Sequence, residues 1–170
     1  MTLHWVPATE RADLLAEPVA RAVEGIGDVV VAEIDPELAD TAAFCERYGV
    51  TLDESANCVV VAAKRGGETR YAACMVLATM RVDVNGVVRK HLDARKASFA
   101  PMAEAVELTA MEYGGITPLG LPDDWPILVD VNVAEHPRVV IGSGVRRSKL
   151  AVSGATLAGL KSAEVLSLAN

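Results

Sequence analysis

Apolar residues along this chain follow two spacings, and the places where the spacing changes mark its elements. NCVVVAAK (57–64) and TRYAACMVLAT (69–79) are rich in β-branched and small apolar residues with polar flanks, which predicts two strands. RGGE joins them and places two glycines where a tight hairpin needs positive φ. DVVVAEI (28–34), WPILVDVNV (125–133), RVVIGSG (138–144) and KLAVSG (149–154) are shorter runs of the same kind. ARKASFA (94–100) reads as an extended segment that stops at Pro101.

Helical spacing fills the intervals. Thr9 has the chemistry of an N-cap, and Ala, Leu, Val and Glu dominate up to Glu24, so 9–24 is expected as a first helix ended by Gly25 and Gly27. Asp35-Pro36 opens a second helix over 35–48, closed by Gly49. A third, over 83–92, carries basic residues near its C-terminal end, where the helix dipole favours them. MAEAVELTAM (102–111) puts Met102, Val106 and Ala110 on one side, and Ser153 caps a final helix over 156–169. Neither linker nor repeat divides the chain. One α+β domain over 1–170 is expected, with 1–26 as an N-terminal helical segment and helices around a mixed, partly barrel-like sheet.

Composition narrows what such a domain binds. Apolar residues are 51% of the 170 and aromatics only 4%, so the core is built from Val, Ala and Leu. Few rings remain to stack on exposed bases, which argues against a general single-strand binder. The formal net charge of −7 limits any nucleic-acid contact to a small, local surface. Cations gather in two runs: Arg89, Lys90, Arg95 and Lys96, then Arg146, Arg147 and Lys149. Each run is either a solvated face or part of an anion site. The N-terminal MTLHWVPATERADLL lacks the apolar core of a secretory signal, and no apolar run approaches membrane-spanning length. A cytoplasmic protein without a membrane partner is expected.

Cys45, Cys58 and Cys74 form no CxxC pair, and His4, His91 and His136 are scattered, so neither a disulfide framework nor a metal site is expected. The phosphate-loop, dinucleotide and nucleophile-elbow motifs are missing, and no cofactor is expected. Cys58 sits inside CVVVAA, where a small buried hydrophobe ranks above a thiol nucleophile. IGSGVRR sets Gly142, Ser143 and Gly144 before Arg146 and Arg147, as an anion-binding turn would. A glycine turn ahead of a solvated basic strand has the same residues. YGGITPLG (113–120) is richer. Gly114 and Gly115 allow a ligand close to bare amides, while Pro118 fixes its own φ and biases Thr117 toward an extended state. Such a loop either ends a helix or aims backbone N–H groups at a carbonyl.

ANCVVVAAK, RKASFAPMAEAVELTAMEYGGITPLGLP, WPILVD and VVIGSGVRRSKLAV, in that order, resemble the YbaK/EbsC family, which is similar to the editing domain of bacterial prolyl-tRNA synthetases. The resemblance is strongest over 28–152. It implies a free-standing, metal-independent deacylase that hydrolyses the ester between a small mischarged amino acid and the 3′ end of tRNA. The backbone of Gly114, Gly115, Ile116, Thr117 and Pro118 would hold the aminoacyl carbonyl, and a ribose hydroxyl would help place the attacking water. Cys58, Lys96, Gly142, Ser143, Gly144, Arg146 and Arg147 would line the substrate site, with Lys149 among the cations that meet phosphate. One departure stands out. Editing members commonly open the central strand with a Lys-Thr pair, and the aligned residues here are Asn57 and Cys58. Either Lys96 or the Arg146–Arg147 pair replaces that cation, or the domain binds an aminoacyl-adenosine-like ligand or a translation protein, such as a tRNA synthetase, without turnover.

Overall fold

In the computed structural model, which describes residues 2–170, the strands form two sheets. The first has the order β1 (Val6–Pro7), β2 (Val30–Glu33), β8 (Ser148–Val152), β7 (Val139–Gly142), and every pair is antiparallel. The second runs β5 (Lys96–Phe99), β3 (Ala56–Arg65), β4 (Glu68–Leu77), β6 (Ile127–Asp130), β9 (Ala163–Leu166). It is antiparallel as far as β4 and parallel beyond. A parallel bridge from Ser55 to Val140 ties the two together at the start of β3. The α+β class is the one expected, and its sheet structure is open, not closed into a barrel.

Alternation along the strands builds two cores. Met75, Ile127 and Val129 of the second sheet pack with Val31, Ile141 and Leu150 of the first, and Val19 and Val23 of α1 (Glu17–Val23) join them. On the other face Val61, Ala63, Cys74 and Leu128 lie under Val84, Val88 and Leu92. The β3–β4 hairpin turns at Gly66 and Gly67, with φ of 59° and 82°, as its RGGE predicts.

Elsewhere local contacts redraw the expected elements. The stretch 9–24 is not one helix: 3-10 turns at Ala8–Glu10 and Ala12–Leu14 precede α1. Pro18 is compatible only with the first turn of a helix, so α1 begins just before it. Over 35–48, a 3-10 turn at Pro36–Leu38 precedes α2 (Thr41–Tyr48), which ends as expected at Gly49, φ 73°. The third helix is a π-helical turn, Val84–Val88, continued by α3 (Arg89–His91). In α4 (Met102–Thr109) the buried side is Ala105 and Thr109, whereas Met102 is half exposed. Ala105 packs against Val60 and Trp125 there.

The run 125–133 divides at Asp130. Its buried carboxylate accepts the N–H of Asn132 and starts α5 (Val131–Ala134). Ser153 does cap α6 (Gly154–Ala158), but the helix stops at Gly159. Ser162, at φ 70°, then swings the chain into β9, a parallel partner for β6. Among the described residues no helix is long and apolar enough to cross a membrane.

Candidate functional site

A cavity of about 400 Å³ opens where the two sheets meet. Ala56–Val60 of β3, Val140–Gly142 of β7 and Phe44 of α2 form its walls, and residues of the Tyr113–Ile116 loop cover one side. Phe99, Met102 and Tyr113 sit at its rim with large exposed surfaces. The volume suits a small ligand, and the walls are mostly apolar.

One wall is main chain against main chain. Gly144 N–H donates to Gly115 O at 2.6 Å, and Glu112 N–H donates to Gly144 O at 2.8 Å. A Cβ on Gly115 would come within 2.9 Å of the Val145 backbone, and one on Gly142 within 2.6 Å of Gly115 O. These two glycines permit the close approach of the loops. Gly115 spends its own N–H on Glu112 O. Among the described residues no hydrogen bond uses the N–H of Gly114 or of Ile116, and both residues line the cavity. Gly114 adopts φ 80°, and a Cβ there would collide with the Arg146 guanidinium.

The cation of the cavity is Lys149. It stands in β8, a central strand buried along its whole length, with 7% of its surface exposed. Its ammonium lies 5.3 Å from the centroid of the Phe44 ring, and no carboxylate among the described residues forms an ion pair with it. Burial pushes its pKa down to about 8; Cys45 and Asp40 oppose that shift and Arg146 adds to it. The sequence shows a lysine inside the apolar run KLAV. That was the available signal, masked by the arginines before it.

The other expected residues divide. Asn57, Cys58, Gly114, Ile116 and Gly142 come together around the cavity. Asn57 Oδ1 accepts from Thr41 Oγ1 at 2.8 Å. Burial drives the Cys58 thiol well above the ordinary thiol range, with Cys74 adding to it, which disfavours a thiolate. Arg146 borders the loop, 3.3 Å from Asp40 Oδ1 and from Tyr113 O. Arg147 points elsewhere, donating to Asp13 O at 2.7 Å. Ser143 is fully buried in a hydroxyl network with Ser148 and does not line the cavity. Gly144 and Gly115 build the wall from behind. Thr117 is buried and its hydroxyl has no partner among the described residues, and Pro118 lines a separate, smaller hollow. Lys96 lies at the hairpin end of the second sheet. Among the described residues no group of three or more His, Cys, Asp or Glu could hold a metal ion.

The fold sets a small, mostly apolar cavity of this α+β domain beside two loop residues with unused backbone amides and one buried ammonium. The chain belongs to the aminoacyl-tRNA editing domain family, whose model matches residues 35–160. A solved structure described as a candidate trans-editing enzyme for prolyl tRNA synthetase is similar at TM-score 0.77 and 22% identity, over 91% of this chain and 96% of that one. The hypothetical protein APE2540 is similar at TM-score 0.80 and 21% identity, over 91% of this chain and 100% of the other. A candidate signal transduction protein from Marinobacter aquaeolei VT8 contains the fold within a longer chain: TM-score 0.60, 18% identity, 89% of this chain and 30% of that one. At such identities the likeness carries the fold alone. No curated protein matches the chain significantly.

Proposed function

We propose that this domain is a trans-editing aminoacyl-tRNA deacylase that removes a small mischarged amino acid without a metal ion. The observation that carries the reading is the pairing, in one cavity, of two loop residues with unused N–H groups and a buried ammonium. In the reaction, water adds to the ester carbonyl, the bond from the acyl carbon to the ribose oxygen breaks, and that oxygen regains a proton. Gly114 and Ile116 are the donors for the carbonyl oxygen as it gains negative charge. Lys149 supplies the positive charge expected of the missing lysine, from β8 instead of β3. A ribose hydroxyl of the terminal adenosine places the water, so no protein nucleophile is needed. Apolar walls from Val60, Ile116 and Ile141 take a small side chain.

The test is to incubate the purified chain with a panel of mischarged tRNAs and follow release of amino acid. Release from at least one is expected; none above buffer at high protein concentration overturns the reading. Asn57 favours a second one, a binding module of the same fold. Saturable binding of an aminoacyl-adenosine analogue, without turnover across the panel, is the outcome that selects it.

A further inference from the structure

The cavity face of β3 continues into a cluster of cations. Side chains alternate along a strand, so Cys58 and Val60, in the cavity wall, share a face with Ala62 and Lys64. Lys64 lies directly opposite Lys96 of β5 in the antiparallel register. Like charges so placed repel. Both side chains are exposed, and neither forms an ion pair among the described residues. Arg65 and Arg95 join them around one shallow depression beside the hairpin turn, where Glu68 is the single carboxylate of the lining. Arg65 is partly neutralised by Asp93 at 3.2 Å. The segments on the opposite side of the cavity carry more acids than bases: Asp53 and Glu54 precede β3, Glu112 precedes Tyr113, and Asp40, before α2, is paired with Arg146. On a chain of net charge −7, a polyanion approaching the cavity therefore meets attraction from one direction and repulsion from the other.

We infer that the hairpin end of the five-stranded sheet, centred on Lys64 and Lys96, is a docking surface for the phosphate backbone of the tRNA stem whose 3′ end enters the cavity. The inference rests on the proposed reading for what the cavity holds. Its lining has no aromatic side chain, so it contacts phosphates and leaves bases unread. Lys64 is four residue steps along the strand from Val60, about 13 Å at roughly 3.3 Å per residue. The unpaired nucleotides at the end of tRNA span that interval between the terminal ribose and the stem.

The experiment compares wild type, the double variant Lys64→Glu with Lys96→Glu, and a control of equal charge change elsewhere, Arg21→Glu with Arg81→Glu. Fluorescence anisotropy with labelled, uncharged tRNA reads binding over a salt series. Hydrolysis of a 3′-aminoacyl-adenosine that lacks a stem reads the cavity alone. In the patch variant, tRNA affinity is expected to fall at least about tenfold at low salt, and the slope of log affinity against log salt to flatten by about two. The control stays within about twofold of wild type, and the stemless substrate is handled equally by all three. A neutral pair, Lys64→Gln with Lys96→Gln, gives an intermediate loss, and thermal melts verify that each variant is folded. Unchanged tRNA affinity in the folded patch variant overturns the inference, as does an equal loss in the control. A wild type that hydrolyses the stemless ester yet binds no tRNA also overturns it while sparing the deacylase reading. A wild type that hydrolyses nothing, but whose tRNA binding depends on the patch, removes the reaction and supports the docking surface.

Discussion

An ammonium buried beside a phenyl ring, with no carboxylate among the described residues paired to it, opposes folding for as long as it keeps its proton. The fall of the Lys149 pKa from 10.5 to about 8 corresponds, at about 1.4 kcal/mol per pH unit, to a cost on the order of 3 kcal/mol. Between those two values the unfolded chain still holds the proton that the folded chain has released, so stability rises with pH there and the full cost is felt below about 8. Lys149→Met should raise the thermal midpoint at pH 7 and lower deacylation at least about a hundredfold. In the wild type, protein-dependent turnover should decline as pH rises through about 8, measured against the uncatalysed rate; a rate indifferent to that window would remove Lys149 from the chemistry. Gly114→Ala tests the loop. The new Cβ meets the flexible Arg146 side chain in a strained backbone conformation, so a folded protein with at least about tenfold slower turnover is expected. Thr117→Val discards a buried hydroxyl that has no partner among the described residues, and differential scanning calorimetry should record a midpoint equal to or above wild type. At this scale the sequence was partly legible. The glycines of 113–120 could be read as permitting close backbone approach, and Gly115 does pack against the Val145 backbone, but the sequence left open whether the loop only ends a helix. Lys149 read as one more cation after Arg146 and Arg147, since only the pairing of β8 between β2 and β7 reveals which of the three is buried.

Elements were readable where short-range chemistry decides them. The β3–β4 hairpin follows from RGGE, and α2 ends at Gly49 because glycine accepts positive φ there. The C-terminal stretch is different. A helical pattern over 156–169 competes with a free edge of β6, and pairing with that edge wins from Ala163 onward. Asp130 fixes this choice. Its carboxylate accepts from the N–H groups of Leu168 and Ala169 as well as from Asn132, all between 2.9 and 3.2 Å. No local pattern around ILVD reveals bonds to residues nearly forty positions away. Asp130→Ala should lower unfolding free energy by at least about 2 kcal/mol in chemical denaturation, because one buried and three part-buried donors lose their acceptor together. Amide exchange should quicken first at Leu168 and Ala169; protection there equal to wild type would show that β9 is held by strand pairing alone.

Across the whole molecule, the cavity belongs to neither sheet by itself. β3 contributes one wall, β7 and β8 another, and the Ser55–Val140 bridge holds them in register. Class could be read from the order of elements and family from the resemblance of the quoted stretches, but the partition into two sheets could not, since it depends on the parallel pairing of β4 with β6 across a long connection. A ligand that touches both sheets stabilises the folded chain by mass action. A nonhydrolysable aminoacyl-adenosine analogue at a hundred times its dissociation constant should therefore add roughly 2.7 kcal/mol, visible as a raised melting temperature. No rise at high analogue concentration would show that the folded chain does not bind it. The glycine-laced wall has a further consequence, for how such a protein can change over time. Gly115 and Gly142 admit no side chain without pushing the loops apart, so at those two positions mutation cannot reshape the cavity. New ligand preferences are more readily written at the exposed rim, at positions such as Phe99 and Met102, which carry no core packing. A library randomised there explores specificity; one randomised at the glycines explores mainly misfolding.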